Sequence, residues 1–565
     1  MLPDSGMTPP IDREVDVDDV DSTTGRVSRR SIVARMAKLG MLVPALEWSE
    51  RGAGSRTAAA AIERTARQDA VSGTRGGNLR VVTNGEPPTL DVHQTTTGIT
   101  SEIGYNMFET LFTFDTQYQI IPMLAESHTV SNDTLTHRIV LRQGVPFHNG
   151  ELMTADDVIA SINRWGQLSG VGKRLLAAVK EIARIDDRTL EIRLSQAFGT
   201  IPIALAQNSQ GCAIYPKSVI ENGTLEPLAE LVGTGPYKLA EWKPDAYIRL
   251  VRFEEYAAQP GMPDGYGGHK HQYVDSIEFI PAPDESARVA GLQAGDYDVA
   301  AQLTIGNDQY QVLKDADGVI AEISHPTNWD VLYLNWKSPL IGNLAMREAI
   351  QAALDHLPIL LSARGGEEFV RLDPGLMMLQ TPWHTYNGQD RYNMNNPDLA
   401  KQKLLEAGYD GTPIRFMTSQ EFSFMYGAAI VIKQQLEAVG MAVDLQVSDW
   451  ATIVERRTQP DAWDMFTSAH GFVPDPIQIT IVGQMNQFPG WWSSETSLAL
   501  AAELAAESEF AVRYPIWEQI QSNAYTEIPA IKIGDSSECN VRRDNVGGWT
   551  PQTERAIMYW NLWLT

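Results

Sequence analysis

The sequence has few of the features that mark nucleic-acid-binding or membrane-spanning proteins. Its 565 residues include only 45 basic residues against 71 acidic ones, which gives a formal net charge of −26. This balance argues against a nucleic-acid partner or an anionic membrane surface. Beyond the amino-terminal region, no segment has the roughly 18 uninterrupted apolar residues that a transmembrane helix needs. The mature chain is therefore expected to be soluble.

Short motifs typical of enzymes are also lacking. The sequence contains no His-Glu-x-x-His, no Gly-x-Ser-x-Gly, no phosphate-binding loop and no cysteine next to a histidine. His269 and His271 lie in a Gly-rich loop, but two histidines without a nearby third ligand do not make a metal site. We therefore predict that the protein is not an enzyme and binds neither a cofactor nor a metal through its own side chains.

Two cysteines, Cys212 and Cys539, are the only ones in a chain of which 43% is hydrophobic. They could pair in an oxidising compartment, although cysteines so far apart are more often separate buried residues. The length exceeds the usual size of a single domain, so we expect two or three lobes.

The amino terminus resembles a twin-arginine export signal. Ser28, Arg29 and Arg30 follow an acidic stretch and precede a modest apolar segment that ends near Leu46. Small residues at 58–61 offer a cleavage region. A disordered basic tail is the alternative interpretation. We interpret residues 1–75 as signal and disordered leader, which predicts a soluble periplasmic protein.

Strands alternate with helices along the rest of the chain, without internal repeats. The period of apolar residues and the flanking turn and cap residues predict helices over 155–165, 344–354, 397–407, 426–439 and 513–524, and strands over 79–82, 136–141 and 443–447. Thr154, Asp156 and Asp157 stand at one helix start, where we expect them to cap the helix rather than to catalyse. The alternation indicates an α/β protein.

One region, residues 120–165, carries a run of short motifs in a distinctive order. Leu-Ala-Glu-Ser at 124–127 is followed by Leu-Arg-x-Gly-Val at 141–145, Phe-His-x-Gly at 147–150 and Thr-Ala-x-Asp-Val at 154–158. This order resembles the peptide/nickel family of extracytoplasmic solute-binding proteins. Further matches occur at 232–237, 274–279, 286–299, 332–335 and 396–409. The Gly-Thr-Gly-Pro-Tyr segment at 233–237 is interpreted as a structural turn.

The resemblance implies an α/β, bilobed periplasmic-binding-protein fold of the large, peptide-binding type, with an extra small domain inserted in the first lobe. The first lobe is expected to comprise 78–115, 235–323 and 528–565, the inserted domain 116–234 and the second lobe 324–527. A ligand held between the lobes would shift an open population toward a closed one. The implied partner is an ABC permease in the inner membrane, and we expect a monomer with no nucleic-acid partner.

The ligand-facing segment implied by the resemblance contains an Asp-Pro pair at 475–476. Dipeptide-binding relatives carry an Asp where this chain has Phe472, and an Arg where it has Ser419. Burying a zwitterion without those charges would cost several kcal/mol per ion. Glu421 or Asp475 could still receive a cationic group. A longer peptide, a sugar, an aromatic acid or a metal chelate are the alternatives to a dipeptide, and a signalling receptor is the alternative to a transport protein.

The candidate ligand-binding residues combine aromatic faces with small polar groups. Flat indoles can cover sugar faces, aromatic rings or peptide side chains. The predicted set is Trp329, Asn335, Ser419, Ser468, His470, Phe472, Trp491 and Trp492.

Overall fold

The computed structural model describes residues 73–207, 209–223, 225–550 and 557–565. The twin-arginine motif, the cleavage region and all but the last residues of the predicted leader lie outside this part of the chain. Within it, no helix is both long and apolar enough to cross a membrane.

Three larger β-sheets organise the described residues, and apolar cores of buried side chains pack against each of them. The first sheet has seven strands, in the spatial order Val319–Ile323, Cys539–Arg543, Val299–Ala300, Asn78–Thr83, Ser276–Pro281, Tyr247–Arg252 and Tyr237–Lys243. The second has six, in the order Val370–Arg371, Ala530–Ser536, Asn328–Leu334, Met465–Gly471, Ile414–Thr418 and Val443–Val447. The small sheet has four, in the order Ala125–Val130, Thr136–Leu141, Thr189–Leu194 and Val179–Arg184.

Helices and short hairpins cover these sheets. The hairpins pair Phe112–Phe114 with Ile120–Pro122, Pro263–Asp264 with Gly267–Gly268, and Val546–Gly547 with Trp563–Leu564. The α-helices in the described residues are Gly98–Gly104, Ala155–Leu168, Gly170–Ala178, Ile201–Leu205, Lys217–Gly223, Glu285–Ala294, Tyr310–Lys314, Leu344–Ala353, His356–Arg364, Pro397–Ala407, Ser423–Ala438, Trp450–Arg456, Thr480–Gly483, Glu495–Ala506 and Phe510–Glu527.

The central strand of the second sheet, Asn328–Leu334, is buried on both faces. Trp329, Val331 and Tyr333 contribute to one apolar core, and Leu332 and Leu334 contribute to the core on the opposite face. Successive side chains of a strand point to opposite faces, so the sequence order alone divides them in this way. The division determines which candidate residues share a face with Trp329.

The helix Ala155–Leu168 begins at the predicted threonine. The Asp157 carboxylate accepts hydrogen bonds from the Thr154 backbone N–H at 2.8 Å and from its hydroxyl at 2.7 Å. Its other oxygen accepts from the Lys217 backbone N–H at 2.7 Å. The interpretation of Asp157 as a capping residue is confirmed.

The chain passes between the first and second sheets at two adjacent places, 324–327 and 537–538. The backbone N–H of Ser324 donates to the carbonyl of Glu538 at 2.9 Å, and that of Thr327 donates to Ser536 at 3.1 Å. The Asn328 amide also donates to the Glu538 carboxylate at 2.5 Å. Two hydrogen-bonded crossings side by side have the geometry of a hinge.

The strand Ala530–Ser536 differs from its expected place. It pairs with Asn328–Leu334 in the second sheet, whereas the prediction assigned it to the last segment of the first lobe, 528–565. The chain returns to the first sheet only with Cys539–Arg543. The other lobe boundaries, and the separate inserted domain, stay predictions.

Cys212 and Cys539 are both buried and unpaired. Cys212 lies in the core of the small sheet, and Cys539 lies in the core of the first sheet. Burial raises the pKa of both thiols, that of Cys539 to about 12. Both cysteines therefore behave as small apolar core residues.

Lys270, between His269 and His271, follows the Gly-rich loop, and its side chain is buried. The Lys270 ammonium is buried and lies 3.2 Å from the Glu109 carboxylate, 4.8 Å from the centre of the Trp560 ring. The neighbouring His269 and His271 rings pack against each other with centroids 4.5 Å apart. In the described residues, no three metal-ligating side chains are grouped together.

Candidate functional site

Several strands of the second sheet end or begin at the same end of the sheet, the end nearest the two chain crossings. We call this end the hinge edge. Ile414–Thr418 and Met465–Gly471 run parallel and end there. The antiparallel strand between Met465–Gly471 and Ala530–Ser536 begins there, because Asn328 pairs with both Gly471 and Ser536. The hinge edge of the second sheet therefore lies directly beside the two chain crossings.

The first sheet has a corresponding hinge edge, which is the end of that sheet nearest the same two chain crossings. Asn78–Thr83 and Val299–Ala300 are parallel and end at this edge, where Ile323 pairs with Cys539. In open α/β sheets, ligands bind in the crevice outside the carboxyl ends of parallel strands. The space between the two hinge edges is therefore the candidate functional site, which we call the crevice.

Three predicted residues lie together on one face near the hinge edge of the second sheet. Trp329 pairs with His470 and Val331 pairs with Ser468 across adjacent strands. The Trp329 and His470 rings stack with centroids 4.9 Å apart. The His470 Nε2 atom accepts a hydrogen bond from the Thr480 backbone N–H at 3.0 Å. Trp329 is only 2% exposed, so in this conformation the stacked rings pack in the interior and stabilise the hinge edge.

Two further predicted residues, Phe472 and Ser419, follow directly after the strands that end at the hinge edge. The Phe472 ring packs against Tyr118 with centroids 4.7 Å apart, so the segment before the small sheet contacts the second sheet at this point. The Ser419 hydroxyl accepts a hydrogen bond from the Glu421 backbone N–H at 3.2 Å. Both side chains are buried.

The remaining three predicted residues, Asn335, Trp491 and Trp492, lie at the opposite end of the second sheet. The strand Asn328–Leu334 separates that end from the hinge edge by roughly 20 Å, at about 3.3 Å per residue. The Asn335 amide donates to the carbonyls of Pro460 and Trp463, each at 2.7 Å. Both amide hydrogens are thus used within the second sheet.

The two tryptophans belong to the packing of the same end. The Trp492 indole donates to the Glu527 carboxylate at 2.5 Å, and Trp491 lies 5.9 Å from the Trp463 ring. Their burial explains why a pair of neighbouring indoles in the sequence does not identify a ligand surface. In this conformation, Asn335, Trp491 and Trp492 pack at the far end of the second sheet, outside the crevice.

An exposed aromatic group that sequence reasoning missed lies at the hinge edge. The Phe422 ring is 5.5 Å from Trp450 and 5.9 Å from Phe424, and Phe422 is 41% exposed. The Glu421 carboxylate accepts a hydrogen bond from the Trp450 backbone N–H at 2.9 Å, which joins the two loops. The signal in the sequence was a pair of phenylalanines just after a strand end. We call these three rings the aromatic group.

The two acidic residues considered for a cationic ligand group differ in availability. The Asp475 carboxylate is buried and binds the Arg513 guanidinium through both oxygens, at 2.6 and 2.8 Å. Such a bidentate pair leaves little capacity for another cation. Glu421 is exposed, so it retains an oxygen toward solvent.

A buried ionic cluster lies behind the Trp329 and His470 stack. The Lys532 ammonium is 2.6 Å from the Asp535 carboxylate, 3.6 Å from Asp373 and 6.0 Å from the centre of the Trp329 ring. Removing one member of a buried ion pair is strongly unfavourable, because the other charge stays buried. The cluster thus holds the strand Ala530–Ser536 in place beside the central strand Asn328–Leu334.

On the first-sheet side, Glu102 is a buried carboxyl close to the hinge. It accepts hydrogen bonds from the Tyr559 hydroxyl at 2.6 Å and from the Gln302 backbone N–H at 3.1 Å. Burial raises its pKa to about 7, and the negative charge of Glu538 acts in the same direction. This carboxyl therefore titrates near neutral pH beside one of the chain crossings.

Comparison with known proteins gives consistent matches over most of the chain. Residues 119–482 match the model described as bacterial extracellular solute-binding proteins, family 5 middle. The chain is 26% identical over 500 residues to the probable peptide ABC transporter periplasmic-binding protein y4tO of Sinorhizobium fredii, covering 84% of this chain and 91% of y4tO. It is also 26% identical over 438 residues to the oligopeptide-binding protein AppA of Bacillus subtilis, covering 72% of this chain and 76% of AppA.

Solved structures resemble the fold at lower sequence identity. AppA of Bacillus subtilis in complex with a nonapeptide superposes with a TM-score of 0.70 and 21% identity, covering 87% of this chain and all of AppA. DppA of Helicobacter pylori in complex with the peptide STSA gives a TM-score of 0.74 and 19% identity, covering 88% of this chain and 99% of DppA. These likenesses confirm the predicted α/β, bilobed fold.

Proposed function

Because the chain belongs to the bacterial extracellular solute-binding proteins of family 5, we propose that it binds short peptides in the crevice and presents them to an ABC permease. The observation that carries the proposal is the meeting of both hinge edges beside two adjacent chain crossings. A ligand that touches both edges favours the closed arrangement by its differential affinity for it. Binding without chemistry is sufficient for this role.

The peptide is recognised through its backbone and side chains rather than through its terminal charges. By the resemblance, Phe472 and Ser419 stand where dipeptide-binding relatives carry charges. Both side chains are buried, and Asp475 is already paired with Arg513. The exposed Phe422 ring offers an apolar face, and strand ends offer backbone donors and acceptors. Longer peptides fit this arrangement better than a free dipeptide does.

The direct test compares free peptides with N-acetylated, C-amidated peptides of the same sequence. The protein is first unfolded and refolded to remove any carried-over ligand, and affinities are then measured by calorimetry. Capped and free peptides should bind within about threefold of each other. A loss of more than about a hundredfold on capping would reveal buried charged anchors and contradict this mode of recognition, since each paired charge contributes about 1.5–3 kcal/mol.

A thermal-unfolding screen separates peptides from the other ligand classes. A ligand present at a hundred times its dissociation constant stabilises the folded state by about 2.7 kcal/mol. Stabilisation by peptides supports the proposal. Stabilisation only by oligosaccharides, aromatic acids or a metal chelate would instead identify a changed ligand class.

The proposal includes twin-arginine export of a monomer to the periplasm. Its support is the motif Ser28-Arg29-Arg30 before an apolar segment. Replacing Arg29 and Arg30 by lysine in the full chain should retain the protein in the cytoplasm, whereas replacing Arg13 and Arg26 should not. Unchanged export of the double lysine variant would exclude this route.

A further inference from the structure

A cavity of about 230 Å³ lies between the part of the chain that carries the small sheet and the part that carries the second sheet. Residues within 171–204 form one wall, and residues within 477–505 form the other. The Thr200 hydroxyl reaches the Ala505 carbonyl at 3.4 Å, so the two walls are in contact beside the cavity. None of the predicted ligand-binding residues lines it.

The lining is apolar apart from a few groups. Phe198, Ile203, Met485 and Leu498 supply much of the apolar surface, and Arg174 is the one charged side chain among the lining residues. A cavity of this composition favours a ligand with an apolar body. Because the cation Arg174 lies on the wall of the cavity, a ligand with a negative charge is favoured as well.

The Arg174 guanidinium makes no ion pair or hydrogen bond with any residue that the structure describes. The Arg174 guanidinium lies beside Gly483. A Cβ atom placed on that glycine would be 3.6 Å from the Arg174 Nη2 atom. Burial lowers the pKa of Arg174, and no neighbouring carboxylate opposes that effect. A partly buried cation without a partner is stabilised when an anion binds beside it.

We propose that this cavity is a second binding site, for a small carboxylic acid with an apolar body. The carboxylate pairs with Arg174, and the apolar body fills the space between Phe198 and Leu498. A cavity of about 150 Å³ admits benzene, so by scaling this one holds roughly nine non-hydrogen atoms. Because both walls contact such a ligand, its binding joins the two parts of the chain and reinforces their contact.

Hexanoate is a suitable probe, and 1-hexanol is its uncharged counterpart. Calorimetric titration of the ligand-free protein should show hexanoate binding at least about tenfold more tightly than 1-hexanol. Arg174→Gln should weaken hexanoate binding by at least about tenfold and should leave 1-hexanol binding unchanged. Lys173→Gln is the matched control, because it removes a positive charge from an exposed neighbour on the same helix, and it should retain hexanoate binding.

A cavity-filling variant tests the location independently of Arg174. Ala501→Met adds a side chain to the wall and should abolish binding of both probes while the variant unfolds at a similar temperature. Absence of hexanoate binding to the unmodified protein, equal binding of both probes, or full retention of hexanoate binding by Arg174→Gln would each overturn the proposal.

The cavity and the crevice are distinguished by their effects on peptide affinity. Peptide binding should be the same for Arg174→Gln and for the unmodified protein, and saturating hexanoate should not displace peptide. Competition between hexanoate and peptide, together with weaker peptide binding by Arg174→Gln, would show that the cavity belongs to the peptide site and overturn a separate site. Failure of peptide binding alone leaves the hexanoate result unaffected.

Discussion

The imidazole of His470 lies parallel to the indole of Trp329, with an angle of 5° between the ring planes. The His470 Nε2 atom accepts from the Thr480 backbone N–H, and its Nδ1 atom is 2.8 Å from the Gly471 carbonyl. Since a backbone N–H can only donate, the ring proton is carried by Nδ1. The imidazole in this arrangement is therefore neutral, with one fixed orientation.

His470→Ala should weaken both folding and ligand binding. It removes the stacked ring and leaves the Thr480 N–H without its acceptor, which should lower the free energy of unfolding by about 2–4 kcal/mol. Trp491→Ala is the comparison, because it removes a buried ring at the opposite end of the sheet. It should destabilise by about 3–5 kcal/mol and leave peptide affinity unchanged. Urea unfolding and calorimetry measure the two effects, and equal losses of affinity would contradict the proposed position of the site.

Phe422→Ala should lower peptide affinity without affecting stability. The Phe422 ring is 41% exposed at the hinge edge, so its removal changes the crevice more than any core. We expect about a tenfold weaker affinity, since truncating an aromatic contact in an interface costs more than about 1 kcal/mol. Leu405→Ala is the control, because Leu405 is 83% exposed on the helix Pro397–Ala407. A similar change of affinity in both variants would remove the aromatic group from the site.

Lys532→Met should be among the most destabilising single substitutions. The ammonium is fully buried against Asp535 and near Asp373, so its loss leaves two carboxylates without their shared cation. We expect the free energy of unfolding to fall by about 3–5 kcal/mol. Lys433→Met removes a partly exposed lysine that pairs with Glu437 and should change stability by less than about 1 kcal/mol. Comparable urea midpoints for the two variants would contradict the structural role of the cluster.

Glu102→Gln should change how stability depends on pH. The folded-state pKa of about 7 lies above the ordinary value of 4.5, so the folded state binds the proton more tightly than the unfolded state does. The stability contributed by this group is present below about pH 4.5 and is lost as the pH rises to about 7. Because Gln does not ionise, the variant does not lose this stability, which amounts to about 3 kcal/mol at most. Its free energy of unfolding should therefore rise relative to that of the unmodified protein between pH 4.5 and 8.

The control for this titration is Glu255→Gln, which alters an exposed carboxyl of the first-sheet part of the chain. Its stability should follow that of the unmodified protein at every pH. Urea unfolding at several pH values gives the comparison, and parallel curves for the unmodified protein and Glu102→Gln would contradict the raised pKa.

Local features of the sequence were sufficient to predict many of the elements. The helix predicted at 397–407 occupies Pro397–Ala407, because Asn396 accepts from the Leu399 N–H at its start and Gly408 adopts a positive φ of 66° at its end. The strand predicted at 443–447 is Val443–Val447. The other predicted helices begin or end within a few residues of the observed bounds, where fraying and final turns decide the limits.

How the candidate residues are grouped could be predicted only in part, because their grouping depends on residues distant in the chain. Trp329, Ser468 and His470 meet through strand pairing, whereas Trp491 and Trp492 pack at the far end of the same sheet. No local pattern indicates which end of a strand faces a hinge. The pairing of Lys532 with Asp373 likewise arises from long-range contacts, as does the place of Ala530–Ser536 in the second sheet.

The order of strands in the first sheet has a consequence for how the protein is made. Cys539–Arg543 lies inside that sheet, between Val319–Ile323 and Val299–Ala300. The sheet therefore stays incomplete during translation until the ribosome has passed residue 543, with exposed strand edges on both sides of the gap. Pairing across such long sequence separations is slow and leaves those edges open to aggregation. A nascent chain stalled before residue 539 should depend on chaperones that bind extended apolar segments.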